Sequence, residues 1–322
     1  MKGIPLIYLD KEQSESIKGI LIILIVFGHN HVLCPNTESG GIMDYLYTFH
    51  VASFFILPFF YQSKKDVSIA RIGKTIVRNW VPYLWTCLVC WIVYSLYKHN
   101  FEFDWGHVLA FFQGTQTPIQ QYFGFVFPWF LPTYCTFSLL LLFARRYRWV
   151  LLALSLLGVG TFFMSWEDFY QFKNVLPFGI GLALNYFVSG VMAFYLNRYN
   201  SWVKYGGAVV FVVLSVCWWL HWSVGVLMSF MPTMFFLALL VIVPHVNTRL
   251  LRMLGRYSLG IYLTHMFLVN ITYLYFPHTM LWGWITFLMI LFISFGVTIV
   301  VYKLEVLRKI LFPVSWKDLK FI

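Results

Sequence analysis

The sequence predicts an all-α polytopic membrane protein of about ten transmembrane helices with both termini cytoplasmic. Three observations carry that expectation. Hydrophobic residues make up 60% of the 322 positions and charged residues only 11%, with a mean hydropathy of +0.75; a water-soluble globule of this length cannot hide so much apolar surface. The apolar residues gather into about ten stretches long enough to span a bilayer. All but Lys98 and Lys173 of the 23 lysines and arginines fall on one side of the alternating loops, which the positive-inside preference makes the cytoplasmic side.

In chain order, the first stretch, residues 17–33, follows Lys2 and Lys11 and holds Lys18 near its start. The second, 45–61, is closed by Lys64 and Lys65. The third, 80–97, is entered through Arg71, Lys74 and Arg78. The fourth, 129–143, stops at Arg145 and Arg146, and the fifth, 149–164, starts after Arg148. The sixth, 176–196, stops at Arg198. The seventh, 205–220, starts after Lys204 and turns tightly through His221-Trp222-Ser223 into the eighth, 224–243. Arg249, Arg252 and Arg256 precede the ninth, 257–276, and the tenth, 281–302, runs into Lys303, Arg308, Lys309, Lys317 and Lys320. The first stretch is too long for a signal-peptide core, has acidic as well as basic residues before it and lacks a small-x-small cleavage site, so it is expected to be an uncleaved anchor. With no internal repeat or low-complexity linker, residues 1–322 are expected to form a single transmembrane domain with no fused soluble domain.

The net charge of +11 follows from this topology. It is not a nucleic-acid surface, since no basic, aromatic-interleaved motif of such a module occurs. Of the five cysteines, Cys87, Cys90, Cys135 and Cys217 fall within apolar stretches and Cys34 near the outer end of the first, so no disulfide framework is expected. Cys87 and Cys90 have metal-ligand spacing, but no other soft ligand lies near them in an apolar span; they read as packing, and no metal site is expected.

Two features carry chemistry. Within the first stretch Lys18 and His29 stand eleven helical steps apart, roughly 16 Å, more than half of a hydrocarbon core about 30 Å thick. An intramembrane ionisable residue is a functional candidate, against the alternative of an imidazole resting at the interface. The second feature is the stretch 98–128 on the outer side, where Gln113, Gln116, Gln120 and Tyr122 stand among Trp105, Phe111, Phe112 and Phe123. Amide donors beside aromatic faces suit a carbohydrate, and Trp129 follows directly; the competing reading is an interfacial aromatic belt with incidental glutamines. A re-entrant segment lining a cavity would satisfy its backbone inside protein.

Four motifs together resemble the acyltransferase-3 family of integral membrane O-acyltransferases. Glu15, Lys18-Gly19 and Phe27-Gly28-His29 resemble its opening motif, an acidic residue, Arg-Gly and an apolar run ending in His. Phe49-His50 with Phe54-Phe55 is similar to its second-helix motif, Trp129-Phe130-Leu131 to its Trp-Phe-Leu motif, and Gly255, Ser258-Leu259, Ile261-Tyr262-Leu263 and His265 to its closing signature. There are departures. Lys18 stands where the family has arginine, as in the subgroup that looks like fucose 4-O-acetylases, and it loses bidentate phosphate geometry. Val51-Ala52 replaces Met-Pro, which puts a kink there in doubt, and the basic Arg-x-x-Arg element is Arg71-x-x-Lys74, with Arg78 beyond.

The resemblance implies transfer of an acyl group, most simply acetyl, from cytoplasmic acetyl-CoA or another acyl-CoA to a hydroxyl of a cell-surface or lipid-linked saccharide. The acyl-CoA is a donor substrate; no permanently bound cofactor is expected. The partners implied are membrane lipid and the saccharide, the oligomeric state stays open, and the location is a bacterial plasma (inner) membrane. Arg71, Lys74 and Arg78, at i, i+3 and i+7 on one helix face, would hold the donor phosphates with Lys18 adding charge. His29 would be the general base, with an acyl-histidine route as the alternative. His50 would orient it or polarise the carbonyl, or else be a packed structural histidine. His31 is expected at the interface. Ser258, Tyr262 and His265 are expected to form a structural polar network rather than to catalyse. The reading from another class is a transporter or flippase of a small molecule or lipid-linked sugar, compatible with Pro58, Pro132 and Pro232 but without the internal repeats such proteins show; a scaffold protein leaves the motifs unexplained.

Overall fold

The computed structural model describes residues 8–35, 41–61, 67–200, 202–222 and 225–319. Lys2, Lys64, Lys65, Ser223 and Lys320 lie outside the described residues. All regular structure among the described residues is helical: α1 (Lys11–Gly28), α2 (Ile42–Tyr47), α3 (His50–Ile56), α4 (Ile69–Lys98), α5 (Trp105–Gln113), α6 (Gln116–Phe123), α7 (Phe130–Arg146), α8 (Arg148–Phe162), α9 (Trp166–Val175), α10 (Ile180–Tyr199), α11 (Val203–Trp219), α12 (Met231–Val246), α13 (Arg249–Arg256), α14 (Ser258–Tyr275), α15 (Met280–Lys303), α16 (Glu305–Leu311) and α17 (Trp316–Leu319).

Among the described residues, six segments are long and apolar enough to cross a membrane: Ile42–Phe60, Ile69–Lys98, Phe127–Arg146, Pro177–Tyr199, Gly225–Val246 and Met280–Lys303. The protein is a multi-pass membrane protein. The other four of the ten predicted stretches also hold helix, but fall short of that standard for identifiable reasons. Helices α8 and α11 have 15 and 17 residues, about 22 and 26 Å at 1.5 Å per residue. Helix α1 carries Lys11, Glu12, Glu15 and Lys18, and α14 is diluted by Thr264, His265 and Asn270.

The first helix is shifted from its predicted span. It starts at Lys11 because Asp10 and Gln13 form a capping box, the Gln13 N–H donating to Asp10 Oδ1 at 2.7 Å and the Asp10 N–H to Gln13 Oε1 at 3.2 Å. It stops at Gly28, not Leu33, because Asn30 Oδ1 accepts from the Val32 and Leu33 N–H groups at 3.1 and 3.0 Å and closes the chain into turns. The second stretch is not one helix either. It breaks at Thr48-Phe49, where Phe49 adopts φ −140° and ψ −33°, and ends in a 3-10 turn over Leu57–Phe60. The kink that the missing Met-Pro put in doubt is thus present, displaced to just before His50.

The chain divides into two compact units. The first comprises Met1–Ser63 and Ser189–Val300. Here α1 is clasped by α13, a short amphipathic helix where the sequence reading had only a basic loop. Arg252 pairs with Glu12 at 2.5 Å, Arg256 donates to both Glu15 carboxylate oxygens at 3.1 Å, and Ser16 Oγ donates to Asn247 Oδ1 at 2.7 Å. The backbones approach so closely that a Cβ at Gly255 would strike the Glu15 carbonyl and one at Gly19 the Leu251 carbonyl. Without a hydrophobic drive between helices in lipid, such small-residue crossings supply the packing. Helices α3, α11, α12 and α14 complete this core around Phe55, Phe236, Ile261 and His265.

The second unit comprises Lys64–Val188 and Val301–Ile322. Helix α4, 30 residues long and capped by the Ser68 side chain, packs on α7, and α7 on α8. The predicted outer stretch is not a loop: α5 and α6 fold there, terminated by Gly114 (φ +63°) and Gly124 (φ +74°), the left-handed C-cap geometry that glycine adopts without strain.

Candidate functional site

The four side chains that meet at the end of α1 all belong to the first unit. His29 is the C-cap of α1, with its N–H donating to the Ile25 carbonyl at 3.1 Å. Its Nδ1 lies 2.8 Å from the same oxygen. A carbonyl only accepts, so Nδ1 carries the proton, and the neutral ring presents Nε2 as a lone pair. That lone pair receives the Tyr47 hydroxyl at 2.8 Å.

His50 and His265 repeat the device. His50, at the first position of α3, donates from Nδ1 to the Leu46 carbonyl of α2. His265 Nδ1 donates to the Tyr262 carbonyl at 2.6 Å. The rings pack edge to face: His29 to His265 at 5.1 Å, His29 to Tyr47 at 5.9 Å and Tyr47 to His50 at 5.0 Å between centroids. His50 and His265 are fully buried and His29 is 7% exposed, while Tyr47 is only half-buried. Among the described residues none hydrogen-bonds the buried His50 Nε2, and a buried polar atom left unsatisfied costs about 1–3 kcal/mol. Among the described residues no group of His, Cys, Asp or Glu has metal-binding geometry. In all three imidazoles Nδ1 is bound to a backbone carbonyl, which leaves Nε2 as the nitrogen able to accept a proton.

The structure brings His29, His50 and His265 together and adds Tyr47. Ser258 does not join them: it opens α14 seven residues before His265, roughly 10 Å along the helix. The sequence carried one signal for Tyr47, its i, i+3 spacing from His50. His31 is separate, its ring 5.4 Å from Tyr273 beside a cavity of about 10 Å³ lined also by Asn30, His278 and Thr286, room for about one water. Lys18 lies 5.5 Å from the centre of the Tyr61 ring, a cation–π contact.

The remaining candidates lie in the second unit. Arg71, Lys74 and Arg78 occupy the first turns of α4, as the spacing predicts, with Lys74 and Arg78 exposed. The outer amides are more engaged than the sequence suggests. The Gln113 side chain donates to the Asn174 carbonyl and Gln116 Oε1 accepts from Lys173 Nζ at 3.0 Å, so both tie α9 to α5 and α6. Burial pushes the Lys173 ammonium pKa down from its ordinary value. Tyr122 packs on Gly106 and His107 and Trp129 is buried, which leaves Gln120 the exposed one of the five.

A family model described as an acyltransferase domain, acyltransferase-3, matches residues 12–303. The chain belongs to the acyltransferase-3 family. Comparison with curated proteins and with solved structures returned no match. The match takes in every residue of the histidine–tyrosine cluster and both sides of the α1–α13 clasp. In this membrane acyltransferase, two stretches at opposite ends of the sequence, Glu15 to Gly19 and Gly255-Arg256, interlock through two glycines and an ion pair.

Proposed function

We propose that this acyltransferase moves an acetyl group from acetyl-CoA to a hydroxyl of a cell-surface or lipid-linked saccharide. The observation that carries the reading is the cluster of three buried imidazoles, His29, His50 and His265, with the half-buried Tyr47 at the end of α1. Alcohol attack on a thioester needs a base that takes the hydroxyl proton as the new bond forms, and a neutral imidazole lone pair in a water-poor site suits that role. His29 is the base we assign; His50 and His265, packed against its surroundings, orient it or hold the substrate oxygen. Arg71, Lys74 and Arg78 are assigned to the donor phosphates, which charge-assisted hydrogen bonds from one helix face would grip. Gln120, Gln113, Gln116, Tyr122 and Trp129 remain assigned to the acceptor side, Gln120 as the direct contact and the others as its support. A transporter or flippase accounts less well for the family match and for imidazoles with one nitrogen locked.

The test compares ester-linked acetyl on surface glycans of cells with and without the protein, and the acetyl-CoA KM of its membranes. The protein should add acetyl esters, and neutralising Arg71, Lys74 and Arg78 together should raise the donor KM at unchanged protein level, each lost contact being worth about 1.5–3 kcal/mol. Donor KM unchanged in that variant moves the donor site elsewhere; no added ester favours transport.

The same proposal includes ten crossings of a bacterial inner membrane by one domain, with both termini cytoplasmic, supported by the sorting of basic residues. Reporter fusions after Arg146, Arg198 and Arg252 should report cytoplasm and fusions near Gln116 and Asp168 the outside. An external C-terminus would contradict the ten-crossing count.

A further inference from the structure

We propose that Tyr47 is a proton relay, standing between the acceptor hydroxyl and His29 rather than beside them; this rests on the assignment of His29 as base. The geometry points to it in three steps. His29 Nδ1 is committed to the Ile25 carbonyl, so Nε2 is the one nitrogen that can take a proton. Nε2 is already occupied by the Tyr47 hydroxyl at 2.8 Å, so a substrate hydroxyl reaches it only by expelling the tyrosine or by acting through it. Tyr47 is also the least buried member of the cluster, so an incoming group meets it first. Its phenolic oxygen, donating one hydrogen bond to His29, keeps lone pairs to accept another.

His50 supplies an independent sign that a donor binds here. Among the described residues its buried Nε2 has no hydrogen-bond partner, and its ring lies 5.0 Å from that of Tyr47. A saccharide carries neighbouring hydroxyls, one of which can donate to His50 Nε2 while the next donates to Tyr47 Oη. The cluster then reads a vicinal diol or similarly spaced pair of hydroxyls rather than a lone alcohol.

The step balances. The acceptor oxygen bonds to the acyl carbon as its proton passes to Tyr47 Oη and the Tyr47 proton passes to His29 Nε2. The carbon–sulfur bond breaks with its electron pair on the coenzyme A sulfur, and the imidazolium returns one proton by the same route to give the free thiol. Tyrosine stays neutral at both ends of the transfer, and the products are the ester and coenzyme A.

The experiment uses the full-length protein in nanodiscs with acetyl-CoA and a saccharide preparation from the same cells, and compares wild type, Tyr47→Phe and His29→Gln. Tyr47→Phe removes one oxygen and keeps the ring. The relay predicts a fall in kcat of about 10²-fold with donor KM unchanged. It also predicts a curved dependence of wild-type kcat on deuterium fraction, because two protons move together, and this reading needs no variant to fold. A linear dependence, or a folded Tyr47→Phe protein within about threefold of wild-type kcat, overturns the relay. If His29→Gln is inactive in either case, the base assignment stands and only the relay falls; if His29→Gln acylates normally, the base assignment itself falls.

Discussion

Replacing His29 with alanine is expected to reduce acyl transfer by about 10²- to 10⁴-fold while the protein still inserts and folds. The two consequences separate because their magnitudes differ. A general base contributes that range of rate, equivalent to about 2.7–5.4 kcal/mol of barrier at 1.36 kcal/mol per tenfold. The structural bond that His29 makes through Nδ1 to Ile25 is worth about 1 kcal/mol, and the backbone N–H that caps α1 at the same carbonyl survives the substitution. His31→Ala should be mild, since that ring packs on Tyr273 beside the small cavity. His50→Ala should fall between them if it only orients, and match His29→Ala if the two act as one unit, because residues that work together are not additive. Kinetics on membranes of matched protein content checks all three. A folded His29→Ala protein with near-normal transfer would remove this histidine from the chemistry.

The second large effect is on stability. Gly255→Ala should destabilise the first unit by about 1–3 kcal/mol or more, although the same change in an open helix position stabilises by up to about 1 kcal/mol. The sign reverses because the new methyl would meet backbone, the Glu15 carbonyl of α1, which cannot swing aside as a side chain can. Separating the two helices would also loosen the Arg256 pair and leave the Glu15 carboxylate, buried at 7% exposure, without its guanidinium. Gly206 in α11 is the control: nothing lies within 4 Å of where its Cβ would stand, so Gly206→Ala should be neutral or slightly stabilising. Thermal unfolding in detergent measures both. Equal melting of the two variants would mean that α1 and α13 do not cross as closely as described.

How far this was legible from sequence depends on the scale of the force involved. The apolar stretches were plain because a bilayer demands long uninterrupted runs, and each of them holds helix. Helix α13 was missed because it has only eight residues and its arginines, at i, i+3 and i+7, look like any inside-positive loop until Glu12 and Glu15 are brought opposite. The outer glutamines were visible as a cluster, but their occupation by Asn174 and Lys173 depends on where α9 docks, some sixty residues away. The break before His50 gives no proline or glycine to read; Phe49 takes its unusual backbone where its ring packs on Phe211 and Phe235 at 5.2 and 4.3 Å. His29 and His50 could be named because each ends or opens an apolar run. That His265 packs with His29, and that the Tyr47 hydroxyl occupies His29 Nε2, are tertiary facts joining residues up to 236 positions apart.

The most direct measurement is acyl transfer by the purified protein in nanodiscs, supplied with acetyl-CoA labelled in its acetyl group and with glycan or lipid-linked glycan acceptor. The account predicts alkali-labile label on the saccharide and release of coenzyme A in equal amount with wild type, and neither with His29→Ala. Saccharide crossing the bilayer in reconstituted vesicles with no ester formed, or full ester formation by His29→Ala, would contradict it.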